Sequence, residues 1–291
     1  MKNTTKMWDD YYSTLNTEAY SRPPKSYYDF PTVNRMVVKV LTDDLHIVHH
    51  PVGFLHHLVP ITTMVELGCG GANVSLTLIG ETLVDKVVLV DFSNKIKSYI
   101  EKVIDHTGYN IEFKKSDVLK FKTKEKFDIV YSGGLLDHFD GKDIDKAFKK
   151  HVSLCKPGGY VVTVVPYNSR FMTFVKTMKG IPESKLNYKL FEHQEMQDLF
   201  RKNQLDVIYH ARHAVSIRPH IANSRPLEER FQNWPLYLIH NLGSLWKVYE
   251  FLEREFPRLY DWRSFFVAVS DCVLCYGMMH GDYLITVGKK R

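Results

Sequence analysis

The sequence predicts a doubly wound α/β domain, and three observations carry that prediction. From Ile61 onward, short apolar runs alternate with stretches of helical periodicity. TTMVEL, KVVLVDF, IEFKKSD, FDIVYS and GYVVTVVP are separated by ANVSLTLIG, NKIKSYIEKVIDHTG and DIDKAFKKHVSLCKPGG. Second, the strand-like runs are mostly continuous in their apolar residues. That marks strands covered on both faces, as in a parallel sheet flanked by helices. Third, the first run ends in a glycine-rich turn within MVELGCGGANVSL, at the carboxyl end of a strand where such sheets bind ligands.

The bulk composition fits this class. The chain has 291 residues, 44% of them hydrophobic, enough for a sizeable core with additions around it. A formal charge of +6 with scattered lysines mildly favours acidic partners, without a dense basic tract. The start, MKNTTKMWDDYY, is polar and aromatic and shows no signal peptide, so a cytoplasmic protein with reduced thiols is expected. Cys272 and Cys275 have a spacing used in redox and metal sites. With no second pair nearby, two buried thiols one helical turn apart is the simpler reading. The most apolar stretch, Trp262 to Met279, contains Arg263 and Asp271, which argues against a transmembrane span while leaving lipid or membrane-surface contact open.

The additions bracket the core. Residues 1–60 are rich in Tyr, His and Pro and are read as an N-terminal helical cap, with short helices around Met7 to Leu15 and Thr32 to Leu41. The core spans 61–220 and includes a helix around Glu192 to Lys202 and a strand in LDVIYHARHAV. Residues 221–280 are read as a helical lid, because LEERFQNWPLYLIHNLGSLWKVYEFLEREF repeats its apolar residues at helical spacing and is too long for a connection. The last strand of the core follows in 281–291.

The glycine turn points to a particular kind of ligand. Gly68, Gly70 and Gly71 permit close backbone approach. The dinucleotide pattern would need a glycine where Asn73 stands, and a P-loop would need Gly-Lys-Ser/Thr, which is absent. Instead an acid, Glu66, precedes the turn, where it would repel a pyrophosphate and attract a cation. Asp91 ends the second strand about twenty residues on, as expected for an acceptor of ribose hydroxyls. Phe92 beside it can lie against a base, and Asp117 at the end of the third strand can accept from an exocyclic amine. Acids at successive strand ends suit a positively charged nucleoside without phosphate, and S-adenosylmethionine fits that description.

In ELGCGGA, VVLVDFS, KKSDV, FDIVYSGGLLDHF and LCKPGGYVVTVVP, in that order, the chain resembles the class I S-adenosylmethionine-dependent methyltransferases, most of all the small-molecule, type 11-like branch. The resemblance covers about Ile61 to Pro166 and extends to DYLITVGKK. It implies a Rossmann-like sheet of seven strands whose last strand is antiparallel, with S-adenosyl-L-methionine as cofactor and S-adenosyl-L-homocysteine as product. By position, Glu66 lies near the methionine amino group, and Gly68, Cys69 and Gly70 lie along the methionine moiety. Asp91 and Phe92 serve the ribose and base, Asp117 and Val118 the adenine, and Ser132 and Gly133 the transfer side. Ala72 departs from the family's E-x-G-x-G-x-G, where its third glycine belongs.

In SGGLLDHF, Asp137 and His138 follow the glycines, and His138 is the candidate catalytic base and a candidate acceptor-binding residue. A histidine that only shapes the loop is the alternative. The motif lacks the N-P-P-Y pattern that holds a flipped base, so nucleic acid is not the expected substrate. Tyr11, Tyr12 and Tyr20 are candidate contacts for a small organic acceptor. His46 and His50 sit at a zinc-like spacing, but Pro51 interrupts the segment and no metal is expected. Two rivals stay open: a methyltransferase acting on protein or RNA, and a binding module that keeps the fold without the chemistry. Oligomeric state is not legible.

Overall fold

The computed structural model describes residues 32–48, 62–168, 189–216 and 280–291. In chain order the elements are α1 (Thr32–Lys39), running on into a π-helical turn (Val40–Asp44), then β1 (Thr63–Leu67), α2 (Asn73–Gly80), β2 (Lys86–Asp91), α3 (Asn94–Thr107), β3 (Ile111–Lys115), β4 (Phe127–Gly133), a 3-10 turn (Leu136–His138), α4 (Lys142–Leu154), β5 (Cys155–Pro166), α5 (His193–Lys202), β6 (Leu205–Ser216) and β7 (His280–Lys290). The predicted helix near Met7 and the body of the predicted lid lie outside the described residues.

The strands form one seven-stranded sheet in the order β3-β2-β1-β4-β5-β7-β6. β1 to β5 pair in parallel, whereas β7 runs antiparallel to both β5 and β6. The doubly wound sheet and its antiparallel last strand are therefore as expected. The order reverses between β1 and β4, the switch point where a crevice opens beyond the carboxyl ends of the strands.

The central strands feed two cores. On one face Met64, Leu89, Ile129, Val162 and Ile285 pack with α1, α2 and α3. On the other, Val65, Leu67, Val88, Val130 and Val161 pack with α4 and α5. This two-sided burial is why the runs read as continuously apolar. The helices close each layer through amphipathic stripes, Ile96, Ile100 and Val103 on α3 and Met196, Leu199 and Phe200 on α5. α3 starts because the Ser93 side chain accepts from the amides of Lys95 and Ile96, and it stops at Gly108, whose φ of 66° leaves the helical region.

One boundary differs from the sequence reading. The helix predicted to run through CKPGG ends at Leu154, and β5 takes Cys155 onward. Cys155 already pairs with Phe127, and a register shift follows before Tyr160 pairs with Ile129. Gly159 sits there so closely that a Cβ would lie 2.8 Å from the Asp128 carbonyl oxygen. Asp128 fixes this edge of the sheet, accepting from the amide and hydroxyl of Thr63 at 2.8 Å and from the Lys156 ammonium at 2.9 Å. Burial pushes the Asp128 carboxyl up, but these partners outweigh it and hold the group below its ordinary range.

Candidate functional site

The switch point places the turn after β1 beside the ends of β2 and β4. The turn is built from backbone bonds to the neighbouring strand. The amides of Gly68 and Cys69 donate to Val90 O at 2.8 and 3.1 Å, and Ala72 N donates to Cys69 O at 2.7 Å. Gly68 and Gly70 take φ of 65° and 47°, which only glycine adopts without cost. Ala72 also has positive φ, 52°, at the residue preceding α2. A left-handed alanine costs about 1–2 kcal/mol, and its buried methyl offsets part of that. The departure from glycine at this position is therefore a strained one.

Asp91 ties the turn to β2. Its carboxylate accepts from Gly70 N at 3.1 Å and from Ser93 N at 2.9 Å, so one buried side chain anchors both the glycine turn and the start of α3. Glu66 lies on the neighbouring strand, buried, and accepts from the hydroxyl of Ser75 on α2. Burial is the main force on Glu66 and pushes its carboxyl up to about 8. The Ser75 bonds pull the other way, and the Asp91 charge adds to the rise. Cys69 is buried as well, and burial, with Asp91 and Glu66 nearby, pushes its thiol well above the ordinary range. That thiol is a packing group rather than a nucleophile.

The other predicted residues distribute less evenly. Phe92 is half-buried at the end of β2. Asp117 is half-buried, and its Oδ1 accepts from Leu119 N at 2.8 Å, so part of its carboxylate shapes its own turn. Val118 is buried in the core that faces α4 and α5. Ser132 is also turned into that layer, with its hydroxyl 2.8 Å from Nε2 of His151 on α4. Gly133 follows it at the end of β4, and Leu135 packs back onto Gly68, where a Cβ would meet it at 2.6 Å. The glycine at 68 thus accommodates this chain's own leucine on one side.

Beyond β4, Asp137 is buried, and among the described residues its Oδ1 has no hydrogen-bond partner. Oδ2 lies 3.6 Å from Nε2 of His138, which is partly exposed. Burial raises the Asp137 carboxyl above its ordinary value, and His138 opposes that rise. Ahead of α5, Lys189 N donates to Asp137 O at 2.7 Å. Tyr11, Tyr12 and Tyr20 lie outside the described residues, as do His50, Cys272 and Cys275. Among the described residues no group of three His, Cys, Asp or Glu is placed to hold a metal, and no helix is long and apolar enough to cross a membrane.

Sequence reasoning missed Ser75, Tyr131 and His151. The signal for His151 was present, because it falls on the apolar stripe of Ile144, Ala147, Phe148 and Leu154. Ser75 interrupts an otherwise apolar α2 in the same way. Tyr131 read as one more β-forming residue.

The sheet order, the antiparallel β7 and the acid-preceded glycine turn define the class I S-adenosylmethionine-dependent methyltransferase fold. Residues 64–159 match the family described as a methyltransferase domain. No curated protein sequence matches the chain. Among solved structures, a mycolic acid cyclopropane synthase complexed with S-adenosylhomocysteine is similar at 15% identity with a TM-score of 0.58, covering 99% of this chain and 99% of that one. The cyclase SpnF aligns at 14% identity and a TM-score of 0.58 over 98% of this chain and 94% of that one. Magnesium protoporphyrin IX methyltransferase from Synechocystis PCC 6803, with bound S-adenosylhomocysteine, aligns at 14% identity and a TM-score of 0.53, covering 71% of this chain and 92% of that one. At these identities the likeness is one of fold.

Proposed function

We propose that the chain is a methyltransferase that uses S-adenosyl-L-methionine and moves its methyl group to an oxygen or nitrogen of a small organic acceptor. One observation carries the reading. Two buried carboxyl groups, Glu66 and Asp91, stand at neighbouring strand ends under one glycine turn. The Asp91 charge repels a phosphate there, whereas a nucleoside with a cationic tail is attracted and draws the proton off Glu66. The residues fit that ligand: Asp91 accepts from the ribose hydroxyls and Glu66 takes the ammonium group. Phe92 and Asp117 serve the base.

When bound, S-adenosylmethionine supplies a methyl group on a sulfonium, with a neutral thioether as leaving group. The protein's tasks are then alignment of the acceptor and exclusion of water. Gly133 ends β4 on the transfer side. His138, beside Asp137, takes the proton that a phenol, alcohol or ammonium acceptor must lose.

The test is calorimetry with S-adenosylhomocysteine. The intact protein should bind it, and Asp91→Ala should weaken binding at least tenfold with the melting temperature monitored in parallel. A full-length, folded protein that does not bind the nucleoside at all would sink the reading.

A further inference from the structure

Tyr131 sits beside Glu66 in the sheet. The two residues are register partners on neighbouring parallel strands, and their side chains share the face that meets α1 to α3. Both are buried, at 2% and 5% exposure. A buried phenol ordinarily finds a hydrogen-bond partner. Among the described residues its hydroxyl bonds no group, yet it is not sealed off in the core, and the Glu66 carboxyl beside it accepts from Ser75. The ring satisfies the packing without the hydroxyl, so a phenylalanine would fill the same space.

The direction of the phenol is set by Gly133. A Cβ at position 133 would come within 2.5 Å of the Tyr131 hydroxyl. The absent side chain therefore lets the phenol lie along β4 and carry its hydroxyl one pleat further, to the carboxyl edge where the glycine turn and Glu66 meet. Gly133 is small here to admit a side chain of this protein. Burial, with the Glu66 charge beside it, pushes the phenol well above its ordinary value, so the hydroxyl keeps its proton and remains a donor.

We propose that the Tyr131 hydroxyl donates a hydrogen bond to the carboxylate of the amino-acid end of the bound nucleoside, while Glu66 takes its ammonium group. The inference rests on the nucleoside-binding reading above. It makes Glu66 and Tyr131 a zwitterion clamp on adjacent strands: an acceptor for the positive end and a donor for the negative end.

The experiment compares full-length wild-type protein with Tyr131→Phe by calorimetry, using S-adenosylhomocysteine and 5′-methylthioadenosine, which lacks the amino-acid end. Tyr131→Phe is expected to weaken S-adenosylhomocysteine about tenfold, as for the loss of one hydrogen bond to a charged group. It should leave 5′-methylthioadenosine unchanged. Equal affinity of both proteins for S-adenosylhomocysteine overturns the inference while the nucleoside-binding reading stands. An equal loss for both ligands also overturns it, because the hydroxyl would then act through the fold. Failure of the wild-type protein to bind either nucleoside removes the reading beneath it.

Discussion

The Ser132 hydroxyl donates to Nε2 of His151 at 2.8 Å, and Nδ1 of the same ring donates to Ala147 O at 2.8 Å. The carbonyl can only accept, so Nδ1 carries the proton and Nε2 is left as the acceptor. One neutral histidine on α4 thereby fixes the last turn of β4, next to the glycines of the candidate site.

Burial lowers the His151 ring from 6.5 to about 4. The folded chain therefore holds fewer protons than the unfolded chain between these values, and stability falls as pH drops from 6.5 towards 4. His210 and His213 are lowered to about 4 as well and add to the same slope, while the raised Asp137 works against it. We expect His151→Gln to cost about 1–3 kcal/mol at pH 7 and to make this acid slope shallower without abolishing it. Thermal melts at pH 7 and pH 5 measure both effects, and an unchanged slope would mean that His151 does not titrate in this window.

Glu66 acts with the opposite sign. Its folded value, about 8, lies above the ordinary 4.5, so the folded chain holds the extra proton and ligand-free stability falls as pH rises from 4.5 to 8. Glu66→Gln should raise the ligand-free melting temperature at pH 8 and change it little at pH 5. A ligand ammonium group seated against Glu66 removes the proton, so wild-type binding of S-adenosylhomocysteine at pH 7 should release close to one proton, and Glu66→Gln none. Calorimetry in buffers of different ionisation enthalpy counts the protons.

Two glycines separate steric from conformational cost. At Gly288 a Cβ would lie 2.5 Å from Phe200 Cδ1 and 3.0 Å from Leu205 Cβ. At Gly108 nothing stands within 4 Å, but φ is 66°. Gly288→Ala should cost about 1–3 kcal/mol through overpacking, and Gly108→Ala about 1–2 kcal/mol through the backbone alone. Urea unfolding gives both numbers, and a cavity-making Phe200→Leu should rescue only Gly288→Ala.

His138→Ala tests the acceptor side. Turnover against a panel of phenols, alcohols and amines, followed by S-adenosylhomocysteine release, should fall by about 10²-fold or more. Nucleoside affinity should stay within about twofold. If turnover with an active acceptor is unchanged, His138 only shapes the turn after β4.

The sequence by itself determined the doubly wound sheet, its strands and the nature of the glycine turn. These follow from local pattern: continuous apolar runs mark strands buried on two faces, and Glu66 before Gly68 is a feature of adjacent residues. It also placed Asp91, because strand and helix lengths fix the distance between successive strand ends. Only the tertiary structure decided which way side chains face at the edge of the sheet. Ser132 turns into the α4 layer and meets His151, whereas Tyr131, one residue earlier, turns to the opposite face and meets Glu66. That alternation depends on the register of β4 against β1 and on where the shift beside Gly159 falls. Such pairings join residues far apart in the chain, and local periodicity carries no information about them.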